Sequence, residues 1–424
     1  MTGRPAPVIL DDLACPRFSP EIDQLRASLV DIAPGCPLEP DALCEEAVEQ
    51  AGTGDFGDGA FADRLDVLCR ALREEADLSA SGIVSWYSQL VQFLKNRLLI
   101  QDLLTRHPEI HEIRIERPII ICGLPRTGTT HLHNMIGSDP AFRSLPYWES
   151  LEPVLADNER PAPGEPDPRP ARAAMALDVL AAALPYFDRM HEMTADHVHE
   201  EIQLLAIDVS TMLFETQALM PSWRDFFKSE DQTPSYEYLR TLLKVLQWLR
   251  GGERWVLKSP QHLEQFGPLV STFPDATFVV THRDPSPVTV SMATMVAYTS
   301  RMSVEHIDPL AIGHYWSARI EDLFRACVAD REVLPSERSI DLAFRDFMED
   351  DMAVIERIYD VARQPFDDRS RAAMEAFGAG HPRGRNGTVV YRPDVLGIDP
   401  AERHEALAFY RTRFGVEDEA PVRK

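Results

Sequence analysis

The sequence predicts an α/β fold of the P-loop type. It would have three layers, a central parallel sheet between helices, with further helical regions at the N-terminus and inserted in mid-chain. Three observations lead there. The apolar run Pro118-Ile-Ile-Ile-Cys122 meets the turn Gly123-Leu-Pro-Arg-Thr-Gly-Thr-Thr130, which opens into a helical pattern. Two more unbroken apolar runs follow, Trp255-Val-Leu257 and Thr277-Phe-Val-Val-Thr281. Short continuous apolar runs are the mark of strands buried on both faces, as in parallel sheets, and the stretches between them read as helices.

Residues 1–60 read as irregular, with scattered Pro and Gly. Phe61, Leu65, Leu68 and Leu72 then lie on one helical face, and Asp77–Gly82 is a connection. Trp86, Leu90, Leu94 and Leu98 line a second helix running to about Arg106. Residues 1–115 are therefore expected to form an N-terminal helical region packed on the core. Residues 116–424 would hold the α/β domain, with a helical insertion at about 150–250. Residues 161–170 contain five prolines and read as a loop. From Ala171 to about Arg250 the pattern is mostly helical, and residues 310–330 and 345–362 are helical too. Residues 378–400, rich in Gly, Pro and Arg, read as a long loop.

The 424 residues carry a net charge of −25. A surface this acidic repels phosphate backbones and argues against a nucleic-acid partner. A local cluster of cations would therefore stand out as an anion site. No apolar run approaches the ~20 residues of a membrane span, and the N-terminus does not read as a leader. The six cysteines form no CxxC pair. They read as reduced, buried thiols of a cytoplasmic protein.

The turn Gly123–Thr130 has the spacing of an ATPase phosphate loop, but Thr129 stands where that loop has its Lys. The remaining parts still suit an anion. Backbone N–H groups and the helix dipole converge there, Gly128 lets the backbone approach, Thr129 and Thr130 offer hydroxyls, and Arg126 supplies charge.

Pro125–Thr130 resembles the 5′-phosphosulfate loop of the sulfotransferases that use 3′-phosphoadenosine 5′-phosphosulfate (PAPS). The resemblance extends to three further places. Arg283, in Thr281-His-Arg-Asp-Pro285, and Ser291 are eight residues apart, like the family's 3′-phosphate ligands. Trp255-Val-Leu-Lys-Ser-Pro-Gln-His262 is similar to the strand that carries its catalytic Lys and His. His381-Pro-Arg-Gly-Arg-Asn-Gly387 resembles its closing basic loop, with Arg385-Asn386 where the bacterial branch often has Lys-His. Asp55-Phe-Gly57 and Asn96-Arg-Leu98 match that branch, which has a long N-terminal helical region.

The resemblance implies a PAPS-dependent transfer of the sulfuryl group to a hydroxyl of a small molecule. Arg126, Thr127, Gly128, Thr129, Thr130, Arg283, Ser291, Arg383, Gly384 and Arg385 would bind the donor. Arg126 and Lys258 would neutralise charge on the leaving group, so no metal is expected. The base would be His262 or Glu201, with Glu200 beside it. His131 stands where relatives stack an aromatic on adenine. His197 and His199, with Asp196 and Glu200, have an H-x-H spacing, but no third His completes a metal set, and the segment reads as helical. Met and aromatic side chains across 171–250 favour an apolar acceptor: a phenol, a steroid-like or a lipid-like alcohol. The alternatives are a PAP-binding protein without turnover and, behind it, a P-loop kinase. The reading also leaves room for a homo-oligomer.

Overall fold

The computed structural model describes residues 5–382 and 384–419. Six strands occur in it: β1 (Val8–Ile9), β2 (Ile119–Cys122), β3 (Val256–Ser259), β4 (Thr277–His282), β5 (Ser339–Ala343) and β6 (Val389–Val390). Four of them form one parallel sheet in the order β3-β2-β4-β5, with Ile119 opposite both Val256 and Thr277. β1 and β6 form a separate parallel pair.

Side-chain alternation splits the sheet into two faces. Ile120, Cys122, Leu257, Phe278 and Val280 join the larger apolar cluster, which also takes in Leu65, Leu94 and Trp86 of the N-terminal helices. Ile119, Ile121, Val256, Val279 and Leu342 point the other way, against the helices Thr129–Ser138, Asp351–Ala362 and Asp368–Gly380. Helices thus cover both faces of the sheet, and the N-terminal helices share its core.

The three strands expected from the sequence are present, as are the helices Phe61–Glu74, Ala80–Arg106 and Pro309–Asp330. Four expectations need correction. Residues 1–60 are not irregular: helices occupy Pro20–Leu29 and Pro40–Ala51, each opening on a proline. Proline at the first helical position gives up no hydrogen bond, so here it starts a helix. Residues 184–220 are mostly turns with short helical pieces, between the helices Arg169–Ala183 and Pro221–Ser229. After a turn at 194–197, the stretch 197–199 runs beside the segment 145–147, through Tyr147 N–H to the His197 carbonyl and His199 N–H to the Leu145 carbonyl. The helix expected over 345–362 breaks at Asp350, whose carboxylate caps the Ala353 N–H and starts a second helix. In 378–400, the helix Asp368–Gly380 and strand β6 shorten the loop at both ends. Strand β5 is an addition. It is an edge strand in which only Leu342 is buried, so no continuous apolar run announces it.

The paired motifs Asp55-Phe-Gly57 and Asn96-Arg-Leu98 meet in space. Arg97 donates to the Phe56 and Asp58 carbonyls at 2.9 and 2.7 Å and to the Asp208 carboxylate at 2.8 Å. Asn96 donates to the Leu151 carbonyl at 2.7 Å. These residues fasten the N-terminal helices to the segment between β2 and β3. The cysteines are all free thiols; Cys15 is exposed and Cys44 half-buried, contrary to the expectation of uniform burial. Among the described residues no helix is long and apolar enough to cross a membrane.

Candidate active site

β2 sits between β3 and β4, so the chain leaves its C-terminal end towards one neighbour and returns to the other. Ligands of open α/β sheets bind at such a reversal. The turn that follows β2 is shaped by close approach. A Cβ on Gly123 would lie 2.0 Å from Thr281 Oγ1 at the end of β4, so no larger residue fits. Thr127 Oγ1 donates to the Leu124 carbonyl at 2.6 Å and meets Thr281 Oγ1 at 2.8 Å. The backbone enters the left-handed region at Gly128, with φ +86°, and also at Arg126, with φ +72°. Gly128 takes that conformation without steric cost, whereas Arg126 is strained by it. From Thr129 the chain is helical, and its first N–H groups face the turn.

A cavity of about 620 Å³ opens over this turn. Pro125, Arg126, Gly128, Thr129 and Thr130 form its floor. The segment 188–198 forms one wall, and Phe344 and Phe347 form another. Arg283, His381, Pro382 and the residues 384–387 close the far side.

Most of the expected donor residues come together here. Arg283 donates to the Arg126 carbonyl and lies 4.1 Å over the Phe344 ring. Arg126 donates to the Met190 carbonyl at 2.9 Å. Arg385 pairs with Glu192, and with Gly384 it lines the same cavity. Thr127 is buried beneath the turn. Arg383 lies outside the described residues. Ser291, on the helix Pro285–Thr299, is buried with its hydroxyl unpartnered and does not line the cavity. His131 lines the cavity, 5.5 Å from the Phe347 ring and 3.2 Å from Asp351 Oδ2.

Lys258, His262, Glu200 and Glu201 lie one layer deeper, in a closed network that does not line the cavity. Lys258 Nζ is paired with Glu200. One oxygen of Glu201 accepts the Lys258 backbone N–H at 2.9 Å, and the other accepts from His262 Nε2 at 2.6 Å. An ionised carboxylate only accepts, so His262 Nε2 carries a proton, and Nδ1 lies 2.8 Å from the Tyr236 hydroxyl. Burial opposes ionisation of Glu201, but the hydrogen bond and charge of His262 outweigh it and hold the carboxyl below its ordinary value. Both His262 nitrogens are thus committed.

Several cavity groups escaped the sequence reading, among them His191, Glu192, Phe344 and Phe347, and His197 was weighed only as a metal ligand. His191 and His197 carried a signal, the histidine-rich run 191–199. Of the Met and aromatic side chains singled out across 171–250, Met190 lines the cavity, whereas Phe214, Trp223 and Phe227 are core. His197 and His199 stand in an extended segment with ring centroids 6.0 Å apart. Among the described residues no group of three or more His, Cys, Asp or Glu side chains is arranged to hold a metal ion. Burial, then the neighbouring Lys258 and Arg126 charges, lower the His191 imidazole to about 4. Burial, His191 and Lys258 lower that of His197 to about 3. Both rings are therefore neutral at pH 7.

A sulfotransferase family model matches residues 118–368. The chain is 24% identical over 260 residues to the omega-hydroxy-beta-dihydromenaquinone-9 sulfotransferase Stf3 of Mycobacterium tuberculosis, and equally to that of Mycobacterium bovis. Each match covers 57% of this chain and 61% of the relative, so the likeness spans less than two thirds of those proteins. The crystal structure of sulfotransferase STF1 from Mycobacterium tuberculosis superposes with a TM-score of 0.76 at 28% identity, covering 87% of this chain and 98% of that one. Sulfotransferase STF9 from Mycobacterium avium gives 0.79 at 24% identity over 89% and 97%, a likeness of fold.

Proposed function

The chain belongs to the sulfotransferase family, and on that premise we propose that it moves a sulfuryl group from PAPS to a hydroxyl of a small, apolar acceptor in the cytoplasm. The observation that carries the reading is the gathering of Arg126, Arg283 and Arg385 around one glycine turn and one cavity, in a chain of net charge −25. The donor set fits a nucleotide with phosphates at two ends. Backbone N–H groups and the hydroxyls of Thr129 and Thr130 suit the 5′ end. Arg283 and Arg385 suit the 3′ phosphate, with Arg383 and the unpartnered Ser291 hydroxyl as further candidates.

When bound, the donor supplies an activated sulfuryl group on a good leaving phosphate. The protein's part is to hold it in line with the acceptor and to neutralise charge at the bridging oxygen. Arg126 is the cation nearest the turn. Lys258 contributes through its field from beneath, and through its Nζ once Glu200 releases it. Glu201 and His262 buttress the strand that carries Lys258. Val198, Met190, Met295, Phe344 and Phe347 leave room for an apolar acceptor.

The test is a transfer assay: purified protein, PAPS, and a panel of phenols and aliphatic alcohols, read as PAP release and sulfated product. Transfer that is lost in Arg283→Ala supports the reading. Absence of both PAP binding and transfer overturns it. A second reading, a PAP-binding protein without turnover, draws on the placement of Lys258 and His262 outside the cavity wall; tight PAP binding without transfer to any acceptor would favour it.

A further inference from the structure

The buried network leaves the acceptor's proton without a destination. His262 and Glu201 are fully hydrogen-bonded to each other and to Tyr236 and the β3 backbone, and Glu200 holds Lys258. His131 and His381, which also border the cavity, are hydrogen-bonded to Asp351 and to the Phe377 carbonyl. His191 differs from all of these. It lines the cavity, and among the described residues no side chain hydrogen-bonds its ring; its Nδ1 is buried, so a proton from the cavity would reach the ring at the other nitrogen.

The position of His191 is set from both sides. The carbonyl of Met190 accepts the Arg126 guanidinium, and the carboxylate of Glu192 pairs with Arg385. The segment Met190–Glu192 therefore stretches from the glycine turn to the basic loop, and His191 is at its middle. Its N–H is anchored on the Phe187 carbonyl at 2.8 Å. Its ring stacks on Phe187 at 5.9 Å and meets the His197 ring at 5.7 Å.

We propose that His191 is the general base of the transfer, taking the proton of the acceptor hydroxyl as that oxygen attacks sulfur. This rests on the donor reading given above. The acceptor O–H bond breaks and its proton passes to the His191 imidazole. The acceptor oxygen forms a bond to sulfur, the bond from sulfur to the bridging oxygen breaks, and its electron pair stays on the 5′ phosphate of PAP. The imidazolium then loses its proton to water.

The charged surroundings couple this base to the donor. Arg126 faces His191 from the turn, Lys258 from β3, Glu192 and Arg385 from the loop side, and His197 from its own segment. In the protein alone, burial and then the two nearby cations hold the ring far down, so it is neutral and ready to accept. Donor anions that neutralise Arg126 and Lys258 remove much of the cationic part of this effect and raise the basicity of the ring. A base whose strength rises as the donor arrives suits an ordered reaction.

The test compares wild type with His191→Gln and His191→Ala, using PAPS and para-substituted phenols from unsubstituted phenol to 4-nitrophenol, together with primary and secondary aliphatic alcohols. PAP binding by calorimetry serves as the check on folding. Expected are PAP affinities within about twofold of wild type and a fall in kcat for unsubstituted phenol of about 10²–10⁴-fold. That loss should shrink steadily towards 4-nitrophenol, whose hydroxyl ionises without help. The acid limb of kcat against pH should vanish in both variants. An equal loss for every phenol would mark His191 as a structural residue and overturn the proposal, as would full activity in His191→Gln. If wild type transfers sulfate to nothing, the donor reading and this inference fall together. If only the variants behave unexpectedly, the donor reading stands and the base lies elsewhere.

Discussion

Arg283 forks onto the carboxylate of Glu419, its Nε and Nη2 at 2.5 and 2.7 Å from the two oxygens. A side chain proposed to hold a phosphate thus holds a carboxylate from the end of the described chain. The contact is reinforced by Glu419 N–H donating to Asp284 at 2.9 Å and by Arg345 pairing with Glu417. Glu192 on Arg385 and Glu200 on Lys258 repeat the arrangement. Arg283 and Arg385, which line the cavity, are each balanced by an acid that the proposed donor would displace.

Removing one such acid should therefore strengthen anion binding. Glu419→Gln is expected to tighten PAP about two- to fivefold, the scale of a half-exposed ion pair of up to about 1 kcal/mol. The gain should shrink in high salt. Calorimetry at two salt concentrations measures it, and an unchanged or weakened affinity would show that Glu419 does not compete.

The close approach at Gly123 predicts a rescue. Gly123→Ala forces a methyl against Thr281 Oγ1 and Thr129 Cγ2, at 2.0 and 2.9 Å. This should cost about 1–3 kcal/mol and deform the turn enough to weaken PAP binding tenfold or more. Adding Thr281→Ala removes the nearer contact and should restore part of both losses. Melting temperature and PAP affinity of the single and double variants decide it, and strict additivity would reject the steric account.

Buried histidines set the response to acid. Burial, followed by the Lys258 charge, lowers His133 to about 4, and its Nε2 lies 3.3 Å from the Val256 carbonyl. His191 is at about 4 and His197 at about 3. The unfolded chain takes up these protons near the ordinary imidazole value of about 6.5, while the folded chain refuses them until much lower pH. Stability should therefore fall as pH drops from about 6.5 towards 4, by up to about 1.4 kcal/mol per pH unit and site. Melting curves across that range test it. His133→Gln should flatten the slope by about one proton.

Arg319 is fully buried between two acids, Glu215 at 3.1 Å and Glu264 at 2.5 Å. The Tyr315 hydroxyl also donates to Glu215, at 2.8 Å. Arg319→Ala leaves two buried carboxylates without a counter-charge and should destabilise the protein by about 3–5 kcal/mol in urea unfolding. A loss below about 1 kcal/mol would mean that water or rearrangement replaces the arginine.

What could be read from the sequence followed signal strength. Residues 118–130 combine a strand buried on both faces, a positive-φ glycine and a helix start, and each leaves a local mark. Arg283 and Arg385 follow from motifs. The edge strand Ser339–Ala343 left none, because one buried residue in five makes no pattern. The first helices were masked by Pro20 and Pro40, which look like breakers until their capping position is known. Within the site, composition could not tell His262 from His191. Both are histidines near motif residues, and only the three-dimensional pairing with Glu201 and Tyr236 removes one of them from the cavity. Phe344 and Phe347 reach the cavity from a helix far along the chain, a proximity that no local pattern encodes.

The central place of β2 has a consequence for biogenesis. Ile119–Cys122 leaves the ribosome early, yet both neighbours that cover its edges, β3 and β4, are synthesised only after the whole insertion. Until then four sticky residues face water with unmatched amides, and their ring of contacts closes only over long sequence distances. Yield in a heterologous host should depend on chaperone supply and growth temperature more than on the stability of the finished protein.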